Sequence, residues 1–275
     1  MQGLGACSDF TGASTSPHSC KSKKTVCSLL AVLAEVRKAH SLGAALAGKL
    51  WGQFSFACTQ LFGRYGRAKL RPLSRRQHQA GQYRLNPQLV ESLAWWAAEL
   101  PRAPPRIILT SLESRQLVVS YSDGEGSNAQ IGVAFWTEGR QPIAGVLRVP
   151  ECVRQLWDHQ QCQLRFNDIY EVEAVGPLIL LYNFPKVFRN CLWLHFIDKA
   201  AALSSLVNGS SSIRAGDVSI GQTWSHIADL RCLPWFDRVD SPSNPVDGLS
   251  RGKLEGPWRL VPLSFPGSLE ALLRR

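Results

Sequence analysis

Between Pro101 and Arg106 the spacing of apolar residues changes, and this change restricts the folds open to the chain. Upstream, Leu46, Leu50, Phe54 and Cys58 recur at steps of four, which suits one apolar helix face. Asn86 stands as an N-cap before a second helical series running through Leu93, Trp96 and Ala97 to Leu100. Pro101, Pro104 and Pro105 end that series and mark a domain boundary, because proline cannot continue a helix. Downstream, Leu117–Ser122, Ile131–Thr137 and Ile143–Val149 are short strand-like runs separated by Gly and Pro, which predicts an antiparallel meander. A helix from about Asn167 to Phe188, a strand Leu192–Ile197, helices Ala200–Val207 and Ile213–Leu230, and a strand Trp235–Val239 follow. The order β, β, β, α, β, α, α, β predicts an α/β fold with a mixed five-stranded sheet and helices packed on it.

A chain of 275 residues is long enough for one generous core or two modest ones. Residues 1–24, rich in Ser, Gly, Thr and Lys, are expected to be a disordered tail. The expected organisation continues with a basic helical region at 25–105, the α/β domain at 106–255 and a C-terminal tail at 256–275. The apolar run Val26–Ala34 is too short to span a bilayer, and it predicts an amphipathic helix from about Thr25 to His40. No membrane association is expected. The eight cysteines include no C-x-x-C pair, so neither a zinc ribbon nor a thioredoxin-type motif is supported. Reduced thiols in an intracellular protein, cytoplasmic or nuclear, are the expectation.

The formal charge of +10 favours a polyanionic partner such as nucleic acid, and its distribution is informative. From Val36 to Val90 there are ten basic residues and no Asp or Glu. Arg64, Arg67, Lys69, Arg71, Arg75 and Arg76 are the candidates to grip phosphates without reading sequence. A merely solvated basic face is the plainer alternative. Trp95 and Trp96 read as core, or as a platform for bases.

Four carboxylates carry the chemistry. Asp123 closes the first strand before a glycine turn, where an Asp alone is an ordinary turn residue. Asp198 ends the apolar strand Leu192–Ile197 in the same way, so two neighbouring strands deliver acids to one sheet edge, where α/β sites cluster. Between them, helix phase groups Glu173 with Ile169, Val172 and Leu180, and an unpartnered carboxylate among apolar residues is costly unless protonated, hydrogen-bonded or metal-bound. Glu171, roughly 200° around the helix, is expected to face solvent and is the alternative ligand. Gly176-Pro177 is expected to strain the helix just after the acid. Asp247 is expected in the first turn of a short helix opened by Ser243 or Asn244 and Pro245, where it complements the helix dipole or serves the site.

Taken together, Tyr121-Ser122-Asp123-Gly124, Glu173 with Gly176, Phe196-Ile197-Asp198 and Ser243-Asn244-Pro245-Val246-Asp247-Gly248-Leu249-Ser250-Arg251 resemble the ribonuclease H domain of retrotransposon reverse transcriptases. The resemblance covers residues 115–252, and Asn-Pro-x-Asp-x-x-Ser-Arg is its most specific part. Gly63-Arg64-Tyr65-Gly66-Arg67-Ala68 and Trp95-Trp96 are similar to the connection region before such a nuclease. The resemblance implies a ribonuclease H-like fold and a metal-dependent endonuclease that cleaves the RNA strand of RNA-DNA hybrids. It also implies two Mg2+ ions, with Mn2+ as a substitute, about 4 Å apart. Asp123 would bridge the ions, Glu173 and Asp198 would hold one, and Asp247 the other. Lys199 stands where such nucleases often carry Asn, and there it can contact phosphate. No adjacent Asp-Asp pair occurs, so the polymerase motif is absent and a remnant or fragment of a retroelement is expected. The alternative is an inactive module that keeps the fold and binds nucleic acid. A transposase or integrase fits less well, since the series ends on Asp247 and no helix-turn-helix or zinc signature appears.

Overall fold

The helical spacing of the N-terminal part produces helices, and the change of period after it produces a sheet. The computed structural model describes residues 20–102, 115–159, 169–254 and 256–274. The chain divides into two units, Met1–Glu113 and Ser114–Arg275. Positions 1–19 of the expected tail, as well as Pro104 and Pro105, lie outside the described residues.

In the first unit, α1 spans Cys20–Ala39, α2 Ala44–Gln60, α3 Arg71–Arg76 after a 3-10 turn at Arg67–Leu70, and α4 Pro87–Glu99. α1 starts at Cys20, ahead of the predicted Thr25. The Asn86 side chain accepts the Leu89 N–H at 2.8 Å and Pro87 takes the first helical position, the cap that the sequence predicts. α2 buries Ala47, Leu50, Phe54 and Cys58, whereas Leu46 is 36 % exposed. Each step of four overshoots a helical turn, so a series from Leu46 to Cys58 drifts by roughly 120°, and the core takes only its later members. Trp96 is fully buried and stacks on Phe54 with ring centroids 4.5 Å apart, so it is core and not a base platform.

In the second unit, β1 (Leu117–Glu125), β2 (Gln130–Thr137) and β3 (Ile143–Arg148) form the predicted antiparallel meander. They are followed by α5 (Glu151–His159), α6 (Ile169–Asn183), α7 (Pro185–Phe188), β4 (Leu192–Ile197), α8 (Ala200–Asn208), α9 (Arg214–Leu230) and β5 (Leu233–Arg238). α10 (Asp247–Ser250), β6 (Arg259–Leu260) and α11 (Gly267–Leu273) complete it. The sheet order is β5-β4-β1-β2-β3-β6, with β4 parallel to β1 and β5 parallel to β4. This is a mixed α/β sheet with flanking helices, consistent with the ribonuclease H-like fold that the resemblance implies.

Four features depart from the sequence expectation. The sheet has six strands, because Arg259 and Leu260 pair with Ile143 and Ala144, an edge pairing too short to leave a period-two signal. Residues 256–275 are not simply a tail: Leu269 and Leu273 of α11 are buried where it packs on α5 and α9. α5 itself was not anticipated, and the expected helix start at Asn167 lies outside the described residues. α6 runs unbroken through Pro177, whose missing N–H withholds only a bond to the Glu173 carbonyl.

Side chains alternate along β1, which sets up the site. Ser122 faces α6: a Cβ at Gly176 would stand 2.6 Å from the Ser122 Cβ, so the helix reaches the strand only because position 176 lacks a side chain. Tyr121 and Asp123 therefore point to the opposite face. Among the described residues no helix is long and apolar enough to cross a membrane.

Candidate metal centre

Strand register brings the two aspartates together. Tyr121 pairs with Phe196 across the parallel strands β1 and β4, and their rings stack with centroids 4.9 Å apart. Asp123 and Asp198 each lie two residues beyond that pair, hence on the same face at the same edge. Glu173 approaches from α6. One ligand atom from each of Asp123, Glu173 and Asp198 lies within 4.8 Å of the others.

Each carboxylate accepts a hydrogen bond from a donor outside the cluster. The Gly124 N–H donates to Glu173 Oε1 at 3.1 Å. The Ser241 hydroxyl donates to Asp198 Oδ2 at 2.7 Å, and the Ser250 hydroxyl to Asp123 Oδ2. Glu173 Oε2 is buried and has no hydrogen-bond partner. Burial pushes Glu173 up to about 9, aided by the charges of Asp198 and Asp123 and opposed by the Gly124 N–H. Burial likewise pushes Asp123 up to about 6, against the Ser250 hydrogen bond and with smaller contributions from Asp198 and Asp247. Without a cation this centre therefore keeps a proton near neutral pH. An orphaned buried oxygen, three converging carboxylates and an all-oxygen donor set fit a hard divalent cation.

The fourth expected ligand is placed differently. Asp247 is the first residue of α10 and pairs with Arg251 at 2.8 Å, and it does not belong to the group of three. The i, i+4 spacing makes that ion pair local to the helix turn. Its charge still reaches Asp123. α10 begins at Asp247 and not at Pro245; the Asn244 side chain accepts the Val246 N–H at 3.3 Å and also donates to the Ser122 carbonyl at 3.2 Å. Glu171, expected to face solvent, is buried, because α6 is covered on all sides from Tyr170 to Leu181. Lys199 is half-buried and directly follows Asp198 as the N-cap of α8.

The basic candidates divide by environment. Arg76 is 2 % exposed and donates to the Arg84 carbonyl at 2.7 Å, so it belongs to the core and not to a phosphate-binding face. Lys69 pairs with Glu91 at 2.5 Å, an acid one residue beyond the acid-free segment. Arg75 is exposed, while Arg64, Arg67 and Arg71 are half-buried. Sequence reasoning missed Ser241, Ser250 and the Gly124 N–H. The only signal for Ser250 is its place three residues after Asp247 in the Asn-Pro-x-Asp-x-x-Ser element.

No family model and no curated protein matches the sequence. Among solved structures, a foamy viral protease-reverse transcriptase, dRH, in complex with double-stranded DNA matches with a TM-score of 0.27 and 10 % identity. That alignment covers 76 % of this chain and 34 % of the viral one, so the chain spans about a third of that protein's length.

Proposed function

We propose that the second unit is a metal-dependent endonuclease of the ribonuclease H type, acting on the RNA strand of RNA-DNA hybrids and related to the nuclease part of retroelement reverse transcriptases. The observation that carries this reading is the convergence of Asp123, Glu173 and Asp198, one ligand atom of each lying within 4.8 Å of the others. Asp123, Glu173 and Asp198 would hold Mg2+, and Asp247 would join them on leaving Arg251. When bound, the metal supplies charge stabilisation for an in-line phosphodiester displacement. The chain's own residues prepare that event. The Gly124 N–H orients Glu173, the Ser241 and Ser250 hydroxyls orient Asp198 and Asp123, and Glu173 and Asp123 release protons as the site fills. Lys199 beside Asp198, together with exposed Arg75 and half-buried Arg64, Arg67 and Arg71, would contact phosphate.

A second reading is a module that keeps this fold and binds nucleic acid without cutting it, and the engagement of Asp247 by Arg251 favours it. Cleavage of a labelled hybrid with Mg2+, comparing the full chain with Asp123→Asn, separates the two. Metal-dependent cleavage lost in Asp123→Asn supports the nuclease. Hybrid binding with no cleavage at any Mg2+ or Mn2+ concentration supports the binding module.

A further inference from the structure

The segment 241–250 touches the metal centre at two places, and neither contact is made by an acid. Ser241 in the 3-10 turn before α10 donates to Asp198 Oδ2 at 2.7 Å, and Ser250 at the end of α10 donates to Asp123 Oδ2. Between them Asn244 is buried and bridges outward and inward: its side-chain N–H donates to the Ser122 carbonyl at 3.2 Å, and its side-chain oxygen accepts the Val246 N–H at 3.3 Å. Val246 and Leu249 anchor the same segment in an apolar cluster with Ala134 and Ala144. The contact is close: a Cβ at Gly132 would stand 2.8 Å from the Ser250 backbone nitrogen. The segment is thus fixed to β1 and β2 independently of any acid.

We propose that this segment is a positioning clamp for the metal centre, in which Ser241 and Ser250 set the carboxylate orientations of Asp198 and Asp123. Each serine engages one oxygen of its aspartate, Oδ2 in both cases, so the hydrogen bond favours one carboxylate orientation when the cation is absent. The inference rests on the metal centre described above. Ser241 and Ser250 are positioning residues, since neither is itself one of the converging ligands. Hydrogen bonds to a ligating carboxylate orient it, and losing such a partner commonly lowers metal affinity by about 10- to 100-fold.

The test titrates the full chain with Mn2+ and with Mg2+, following bound Mn2+ by electron paramagnetic resonance and Mg2+ by calorimetry, alongside thermal unfolding without metal. Ser241 is exposed, so Ser241→Ala is expected to fold normally, with the same metal-free melting temperature and at least tenfold weaker metal binding. Ser241→Thr, which keeps the hydroxyl, is expected to restore the affinity. Ser250→Ala is expected to weaken binding as well. Wild-type affinity in Ser241→Ala overturns the clamp while leaving the metal centre standing. Metal binding that is absent from the wild type, or that survives Asp123→Asn, overturns the metal-centre reading itself and the clamp with it.

Discussion

Glu173 turns one carboxylate oxygen onto the Gly124 N–H, 3.1 Å away, and keeps the other buried with no partner. The group is therefore stable as a neutral acid or as a metal ligand, and costly as a bare anion. Glu173→Gln keeps an acceptor for Gly124 and cannot ionise. Without metal, this variant is expected to match the wild type below about pH 4.5, where the acid is protonated in both states, and to exceed it increasingly as pH rises from there to about 9. With millimolar Mn2+ the order reverses, because only the wild type gains binding energy. Urea unfolding at both pH values measures this, and a wild type that stays more stable than Glu173→Gln at high pH without metal contradicts the account.

The metal-free protein should have its greatest stability in weakly acidic solution. Asp123 is raised from 3.8 to about 6 and Glu173 from 4.5 to about 9, so between those limits the folded state binds more protons than the unfolded one and stability is lost as pH rises. His195 acts in the opposite direction. Burial lowers it to about 3, and its ring nitrogens lie 2.8 Å and 3.1 Å from the hydroxyls of Ser120 and Ser122. The stability that goes with neutral His195 is present above its ordinary value and is lost as pH falls towards 3. Melting temperatures measured with a chelator present should fall on both sides of roughly pH 4 to 5, and added Mn2+ should lift only the alkaline side. A flat profile from pH 5 to pH 9 would sink this assignment of the acids.

Metal binding should release protons. Near pH 7 Glu173 is protonated before the cation arrives, so binding displaces its proton and apparent affinity climbs as pH rises from about 6 to 9. Calorimetry in two buffers of different ionisation enthalpy counts the protons. A count of zero at pH 7 means that the cation is held elsewhere.

Arg75 and Arg76 are neighbours in sequence with opposite consequences. Arg76 is buried with its Nε and one terminal nitrogen unpartnered, so its charge is a cost and its volume is the benefit. Arg76→Met is expected within about 1 kcal/mol of the wild type or above it, whereas Arg76→Ala should lose about 2–4 kcal/mol through the cavity it leaves. Arg75→Ala should leave the melting temperature unchanged and weaken hybrid binding, with a shallower salt dependence. Filter binding at several salt concentrations and thermal unfolding distinguish the two positions.

Asn86→Ala removes the side chain that accepts the Leu89 N–H at the start of α4. A loss of about 1 kcal/mol is expected, with Asn86→Asp or Asn86→Ser close to the wild type. An alanine variant as stable as the wild type would show that Pro87 alone sets the start of the helix.

Local sequence signals suffice where a short stretch contains its own cause. The cap at Asn86, the meander β1–β3 and the strand β4 leading into Asp198 all follow from side chains a few residues apart. The pairing of Asp123 with Asp198 was also accessible, since two apolar strands that each end in an acid meet at one edge if they run parallel. Glu171 was misplaced because helix phase assumes one wet face, and α6 has none. Arg76 was misplaced for the related reason that a run of basic residues does not record which of them faces inward.

By itself the sequence determined the meander, the strand leading to Asp198 and the acids on β1 and on the intervening helix, because these depend on period, capping and local pattern, whereas β1 runs on past Asp123 to Glu125. Tertiary structure decided the rest: that Glu173 is buried with one unpartnered oxygen and converges with Asp123 and Asp198, that Asp247 turns to Arg251, and that two serines from one distant segment hold the aspartates. The physical reason is that hydrogen bonds and desolvation act over a few ångströms in space, between groups as far apart in the chain as Asp123 and Ser250, and no periodicity along the sequence encodes that proximity.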